Sequence, residues 1–268
     1  MDDREILKRR ILDADRTAYE RNILKVCGFL ALDEQNIYHS AARGFMSPMH
    51  FLSGGHGEAE RAAAFFLPDY MDREEAEAER ICAVKVTPVN ARFSDELTHR
   101  DYLGALMNLG IERECIGDIL IDRGSASDSA GSPDAGHVPA AAYVFVLREM
   151  SELIARELTK VRHTNVSCEI VETADISVQP EFEELEVNIA SERADAVIAA
   201  VYRVSRGKAT DVIAAERVFI NGVTVTSAGK LLKAGDRVSV RGSGKFIYDG
   251  ISGSSKKGRL FADIRKFV

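Results

Sequence analysis

The chain has 268 residues, 46% of them hydrophobic, enough to bury one large core or two to three small ones. Its longest nearly unbroken apolar run, Ala140 to Leu147, falls far short of the roughly 20 residues that cross a bilayer, and the mixed charges of MDDREILKRRILDADR exclude a secretory signal, so a cytoplasmic protein is expected. The net charge of −7 argues against a nucleic-acid partner only until it is split: residues 191–268 hold 15 Lys+Arg and 7 Asp+Glu, a net of +8, and residues 1–190 carry −15.

Near the N-terminus Ile6, Leu7, Ile11 and Leu12 recur at the helical period. A second helix is expected over Glu58 to Phe66, after the loop Ser53-Gly54-Gly55-His56-Gly57 and before Pro68. Asp72 to Arg80 is almost wholly charged and reads as a solvated helix or linker, with a domain boundary near residue 77. Four cysteines, Cys27, Cys82, Cys115 and Cys168, lie far apart with no C-x-x-C pair, which argues for reduced thiols and against a zinc knuckle or disulfide framework.

The pattern then changes. Ile81 to Val86 reads as a strand, and Thr98-His99-Arg100-Asp101 as a capping box opening a helix with Tyr102, Leu103, Leu106 and Leu109 that stops at Gly110. Gly117 to Ile121 follows, then a Gly/Ser/Asp-rich loop from Gly124 to Gly136, a strand from Ala142 to Leu147, a helix from Glu149 to Thr159 and a strand from Val166 to Val171. The order β-α-β-β-α-β fits a ferredoxin-like sandwich, a fold that also serves RNA-recognition modules. The acidic run Glu181 to Glu186 reads as a solvated linker into the last domain.

In the basic terminal segment Ala194, Val197, Ile198 and Val201 share a helix face, and Ser205 is placed to cap a second helix from Arg206 to Glu216. This junction gathers Arg193, Arg203, Arg206 and Lys208 near one end of a helix pair, where free backbone N–H groups also favour phosphate. Asn221-Gly222 between two alternating runs signals a tight hairpin, and Arg237 to Arg241 reads as a strand with Val238 and Val240 inward and its basic residues outward. Lys245, Lys256, Lys257 and Arg259 in a glycine-rich tail add salt-sensitive attraction for a polyanion.

The ordered set R-A-D-x-x-x-A, S-R-G-K-A, V-F-I-N-G-V-x-V and A-G-D-R-V-S-V-R-G resembles the RNA-binding domain first known in small-subunit ribosomal protein S-four, two helices followed by a small twisted sheet. Transferred position by position, the resemblance implies RNA contact by Arg193, Ser205, Arg206, Lys208, Asn221 and Arg241. The chain departs from that family at Ala194, where leucine is common, and at Gly207, where a polar residue is common.

A wider resemblance covers nearly the whole chain. Phe51-Leu52-Ser53-Gly54-Gly55 with Ala59-Glu60-Arg61, then Leu97 to Ile119, then Arg241 to Phe246 with Lys257-Gly258-Arg259 are similar to the bacterial YlmH family. That resemblance implies an α+β protein of three small domains. They are an N-terminal α/β domain (1–77), a ferredoxin-like, RNA-recognition-module-like domain (78–180) and an S-four-type domain (181–268). It implies structured RNA as the partner, both rRNA and tRNA, on large ribosomal subunits that still hold peptidyl-tRNA, in quality control of stalled translation.

The rival readings are an RNA-modifying enzyme and a division-linked protein partner. Pseudouridine synthases place a catalytic Asp after Gly-Arg-Leu, but Gly258-Arg259-Leu260 is followed here by Phe261. No phosphate-binding loop or metal spacing is present, so no catalytic residue, cofactor or metal is expected. His99 with Asp101 fits helix capping better than acid–base work.

Overall fold

The protein, a computed structural model, is described for residues 2–90, 94–122, 141–255 and 258–267. The expected Gly124 to Gly136 loop lies outside these residues. The chain divides into two compact units, residues 1–179 and 180–268.

The first unit opens with α1 (Asp3–Arg21), capped by Asp2 and burying Ile11 and Ala18. β1 (Lys25–Leu30), α2 (Leu32–Ala41), β2 (His50–Ser53) and β3 (Ala62–Phe66) follow, and the three strands form a sheet in the order β1-β3-β2. The helix expected from Glu58 to Phe66 is not there: Ala62 to Phe66 is the central strand. Both of its faces are covered, Ala64 and Phe66 by Ile11, Ala18 and Tyr38, and Ala63 and Phe65 by the cluster of Phe29, Ile81 and Leu147. A strand buried on two sides loses its polar alternation and leaves an apolar run that periodicity cannot tell from a helix.

Asp72 and Glu75 close a capping box on α3 (Arg73–Arg80), whose Ala76 is fully buried. This helix runs directly into β4 (Ile81–Pro88), so residue 77 falls within α3, and the sheets on either side of it share one compact unit. After β4 come α4 (His99–Asn108), β5 (Ile116–Asp122), β6 (Ala141–Leu147), α5 (Arg148–Glu157), β7 (Lys160–Val161) and β8 (Thr164–Val171). The sheet order β5-β6-β4-β8-β7, antiparallel throughout, is the ferredoxin-like arrangement that the element order implied. Tyr102 and Leu106 of α4 and Ile154 of α5 pack with Val84, Val86, Val144 and Val146 on one face.

The other face meets the first sheet around Asp118. That carboxylate accepts from the backbone N–H of Glu60 (2.6 Å) and Arg61 (3.2 Å) and lies 3.2 Å from His56 Nε2, whose ring sits 4.7 Å from that of Phe145. Arg61 donates to the carbonyls of Phe29 (2.5 Å) and Ile116 (3.1 Å). Burial alone would raise the Asp118 pKa, but the hydrogen bonds from His56 and the two N–H groups hold it below the ordinary carboxylate value.

The second unit is one six-stranded sheet in the order β11-β10-β12-β13-β14-β9, with α6 (Ala194–Val201) and α7 (Arg206–Ala214) on one face. Its strands are β9 (Phe182–Ile189), β10 (Val218–Ile220), β11 (Val223–Thr224), β12 (Asp236–Val240), β13 (Gly244–Ser254) and β14 (Leu260–Phe267). The acidic run expected as a linker is the edge strand β9, paired along its length with β14. Lys266 bonds Glu183 at 2.9 Å, and Phe182 packs on Phe267. Including these four acids, the unit has 15 Lys+Arg and 11 Asp+Glu, a net of +4. The glycine-rich tail is also largely ordered, as the long pair β13 and β14.

No helix of the described residues is long and apolar enough to cross a membrane. All four cysteines are free, Cys27 and Cys82 buried and Cys115 and Cys168 half-buried. Among the described residues no group of three or more His, Cys, Asp or Glu could hold a metal ion.

Candidate RNA interface

Arg193 ends the extended segment before α6, and Ser205 caps α7 by accepting from the Lys208 N–H at 3.2 Å. Between them lies Asp195, whose side chain is only 4% exposed. It accepts two hydrogen bonds from Arg193 (both 3.1 Å) and two from Arg206 (2.9 and 3.2 Å). Burial pushes the Asp195 pKa up, yet the two guanidinium groups outweigh it and hold the carboxyl below its usual value; the same contact raises the Arg193 pKa. The arginine planes are thus fixed from behind while about half of each side chain stays in solvent. Such bidentate geometry leaves donors directed outward for phosphate oxygens.

The segment after the hairpin straps down the same corner. Ala194 N donates to the Lys230 carbonyl (2.8 Å), Asp195 N to that of Ala228 (3.3 Å), and Leu232 N to that of Glu192 (2.9 Å). A Cβ on Gly229 would stand 3.5 Å from the Arg193 guanidinium, an ordinary van der Waals contact, so this segment lies against that group. Lys230 is exposed within this strap, and Lys208 adds a charge from the first turn of α7 with no ion pair among the described residues. Arg203 is exposed at the C-terminal end of α6, in the left-handed conformation with φ 53°.

The remaining nominated residues are elsewhere. Arg237, Arg241 and Lys245 lie on the sheet face away from the helices, because Val238, Val240 and Phe246 take the inner positions. The Arg241 guanidinium is 5.7 Å from the Phe219 ring centre, and the Lys245 ammonium 6.0 Å from that of Phe267. Asn221 and Gly222 form the tight turn, with φ 49° and 76°. The Asn221 amide is committed to the fold: it donates to Asp236 Oδ1 (2.8 Å) and accepts from the Arg237 N–H (2.9 Å). Arg259 donates to the Asn188 carbonyl at the far end of the β13–β14 pair. Lys256 and Lys257 lie outside the described residues. In the first unit, Asp101 accepts from Thr98 N (2.8 Å) and Oγ1 (2.7 Å), so it serves the cap of α4.

Sequence reading missed Asp195. A carboxylate two residues after an arginine is an ordinary surface pattern until the next helix brings Arg206 to it.

Two family models match the chain. One, described as "Putative RNA-binding domain in YlmH", matches residues 80–127, and the S4 domain matches residues 192–238. The "Ribosome-associated protein quality control protein P2" of Bacillus subtilis (strain 168) is 29% identical over 250 residues, covering 92% of this chain and 88% of that protein. The solved "Cell division protein ylmH from Streptococcus pneumoniae" aligns over 65% of this chain and 94% of its own, with 20% identity and a TM-score of 0.47. The domain model particular to YlmH is thus followed in the same chain by an S4 domain, and in this order of RNA-binding domains the chain resembles the YlmH family.

Proposed function

We propose that this protein is a non-catalytic factor that binds large ribosomal subunits still holding peptidyl-tRNA and acts in ribosome-associated quality control of stalled translation. The observation that carries the reading is the Asp195 clamp, which presents Arg193 and Arg206 beside Lys208 as a fixed cationic corner. The printed name of the Bacillus subtilis relative supports the setting. Residues 1–77, 78–180 and 181–268 act as three working parts, the last one gripping folded rRNA and tRNA by shape through phosphate and 2′-hydroxyl contacts. Arg193, Arg203, Ser205, Arg206 and Lys208 make the contact. Arg237, Arg241, Lys245, Lys256, Lys257 and Arg259 add longer-range attraction, and Asn221 supports the hairpin.

The test is cosedimentation of the intact protein with large ribosomal subunits at low and high salt. Wild type comigrates at low salt and releases at high salt, and the double variant Arg206→Glu/Lys208→Glu stays in the supernatant under both conditions. Unchanged comigration of that folded variant refutes the site, and covalent turnover of an RNA base by the wild type refutes the non-catalytic reading.

A further inference from the structure

We infer that the middle domain meets RNA through a cleft between α4 and the β7–β8 hairpin, centred on Gly104, and not through its sheet. This rests on the RNA-binding reading above and says where a second contact lies. RNA-recognition modules stack bases on the open face of the sheet. Here that face is largely taken by the protein itself. Ile81, Ala83 and Phe145 are fully buried and Leu147 nearly so, with Phe145 under the His56 ring. A Cβ on Gly55 would stand 2.8 Å from the same Phe145 ring, so the loop is pressed against it. The row that remains sets Lys85 over the half-buried Tyr143 ring, 5.8 Å from its centre, and opposite Glu169, so it offers a single ring and no net positive charge.

The cleft, of about 510 Å³, has a different character. Arg100, Gly104 and Asn108 are spaced one turn apart along α4, and Thr159, Lys160 and Arg162 line the hairpin side. Its acids are already engaged: Asp101 caps α4 and lies 3.7 Å from Arg162, and Glu157 bonds Arg156 at 2.8 Å. Arg100 and Lys160 are exposed and have no ion pair among the described residues.

Two positions lining this cleft hold residues that the fold alone does not favour. Gly104 sits mid-helix, where glycine weakens α4, yet nothing lies within 4 Å of the place its Cβ would occupy. Arg162 holds φ 52° in the two-residue turn after β7, a conformation that asparagine or glycine adopts more readily. A bare helix backbone between cations admits close approach of a sugar–phosphate chain. A protein partner would instead favour an apolar centre, which this polar lining does not supply. α4 also lies within residues 80–127, the span of the matching RNA-binding domain model.

The experiment measures affinity of the full chain for purified large ribosomal subunits, and for their protein-free rRNA, against salt. Gly104→Ala raises the thermal midpoint, because an unneeded glycine is removed, and Gly104→Glu lowers affinity about 10-fold or more by filling and charging the cleft. Arg100→Glu/Lys160→Glu lowers the slope of log affinity against log salt by about 1 to 2. If these cleft variants bind as wild type does while Arg206→Glu/Lys208→Glu loses binding, the inference is overturned and the broader RNA reading stands. A fall in the Gly104→Ala midpoint would give the glycine a structural role and also overturn it. Loss on intact subunits without loss on protein-free rRNA would assign the cleft to a ribosomal protein and overturn it too. If wild type binds neither particle nor rRNA, the RNA reading fails and this contact with it.

Discussion

Replacing Asp195 by asparagine separates two accounts of how this protein holds RNA. If binding is general attraction between a basic unit and a polyanion, Asp195→Asn removes a negative charge next to the cluster and tightens the complex. If binding needs positioned arginines, the same change weakens it, because the amide cannot accept the four hydrogen bonds that fix Arg193 and Arg206. Releasing two long side chains, each to be ordered again on binding, weakens affinity roughly 5- to 100-fold. The substitution also lowers the stability of the second unit by about 1–2 kcal/mol, discounted because both guanidinium groups reach solvent, or roughly 4–16 °C in its unfolding midpoint. The Asp195 pKa is depressed in the folded state, so its contribution is complete above the unfolded value and lost as pH falls below about 4. That acid sensitivity diminishes in the variant. Affinity for large-subunit rRNA is measured by filter binding at 20 °C, where the variant remains folded by circular dichroism. Equal or tighter binding by the folded variant refutes the positioning account.

Asp118→Asn keeps one oxygen to accept from the N–H of either Glu60 or Arg61, turns an NH₂ group toward the other, and lowers first-unit stability by about 2–4 kcal/mol, read by urea unfolding; a loss under 1 kcal/mol would show that the cluster does not join the two sheets. Asn221→Ala costs about 1–2 kcal/mol through the lost Asp236 and Arg237 bonds and the left-handed backbone it must hold, but leaves RNA affinity within twofold. A larger affinity loss in the folded protein would restore Asn221 as an RNA contact.

Features fixed by a few neighbouring residues were legible in the sequence. Ser205, the Thr98 to Asp101 box and Asn221-Gly222 each use one side chain or one backbone conformation, and each forms as expected. The errors came where distant partners decide. Ala62 to Phe66 became a strand because two cores close on it from both sides. All of the acidic run after Glu181 became sheet because β14, over seventy residues later, supplies its hydrogen bonds and the Lys266 and Arg265 charges beside it. Asp195 was invisible for the same reason. Its role needs Arg206, which reaches it only after the chain reverses between α6 and α7.

The nominated cations of the second unit do not form one surface, and this sets a limit on the RNA they can hold. Arg193, Arg206 and Lys208 belong to the helix pair, whereas Arg237, Arg241 and Lys245 project from the sheet face turned away from it. A single rigid RNA helix cannot press on both. On the proposed reading the helix-pair group is the primary contact, because Asp195 fixes its guanidiniums in the folded chain, whereas Arg241 and Lys245 already rest near the rings of Phe219 and Phe267. Each phosphate contact contributes about 0.7–0.9 to the slope of log affinity against log salt. Neutralising Arg206 and Lys208 with glutamine therefore lowers the slope by about 1.4–1.8, and neutralising Arg241 and Lys245 changes it by less than about 0.5. A drop of similar size in both variants would mean that the RNA wraps around the unit and touches both faces of its sheet.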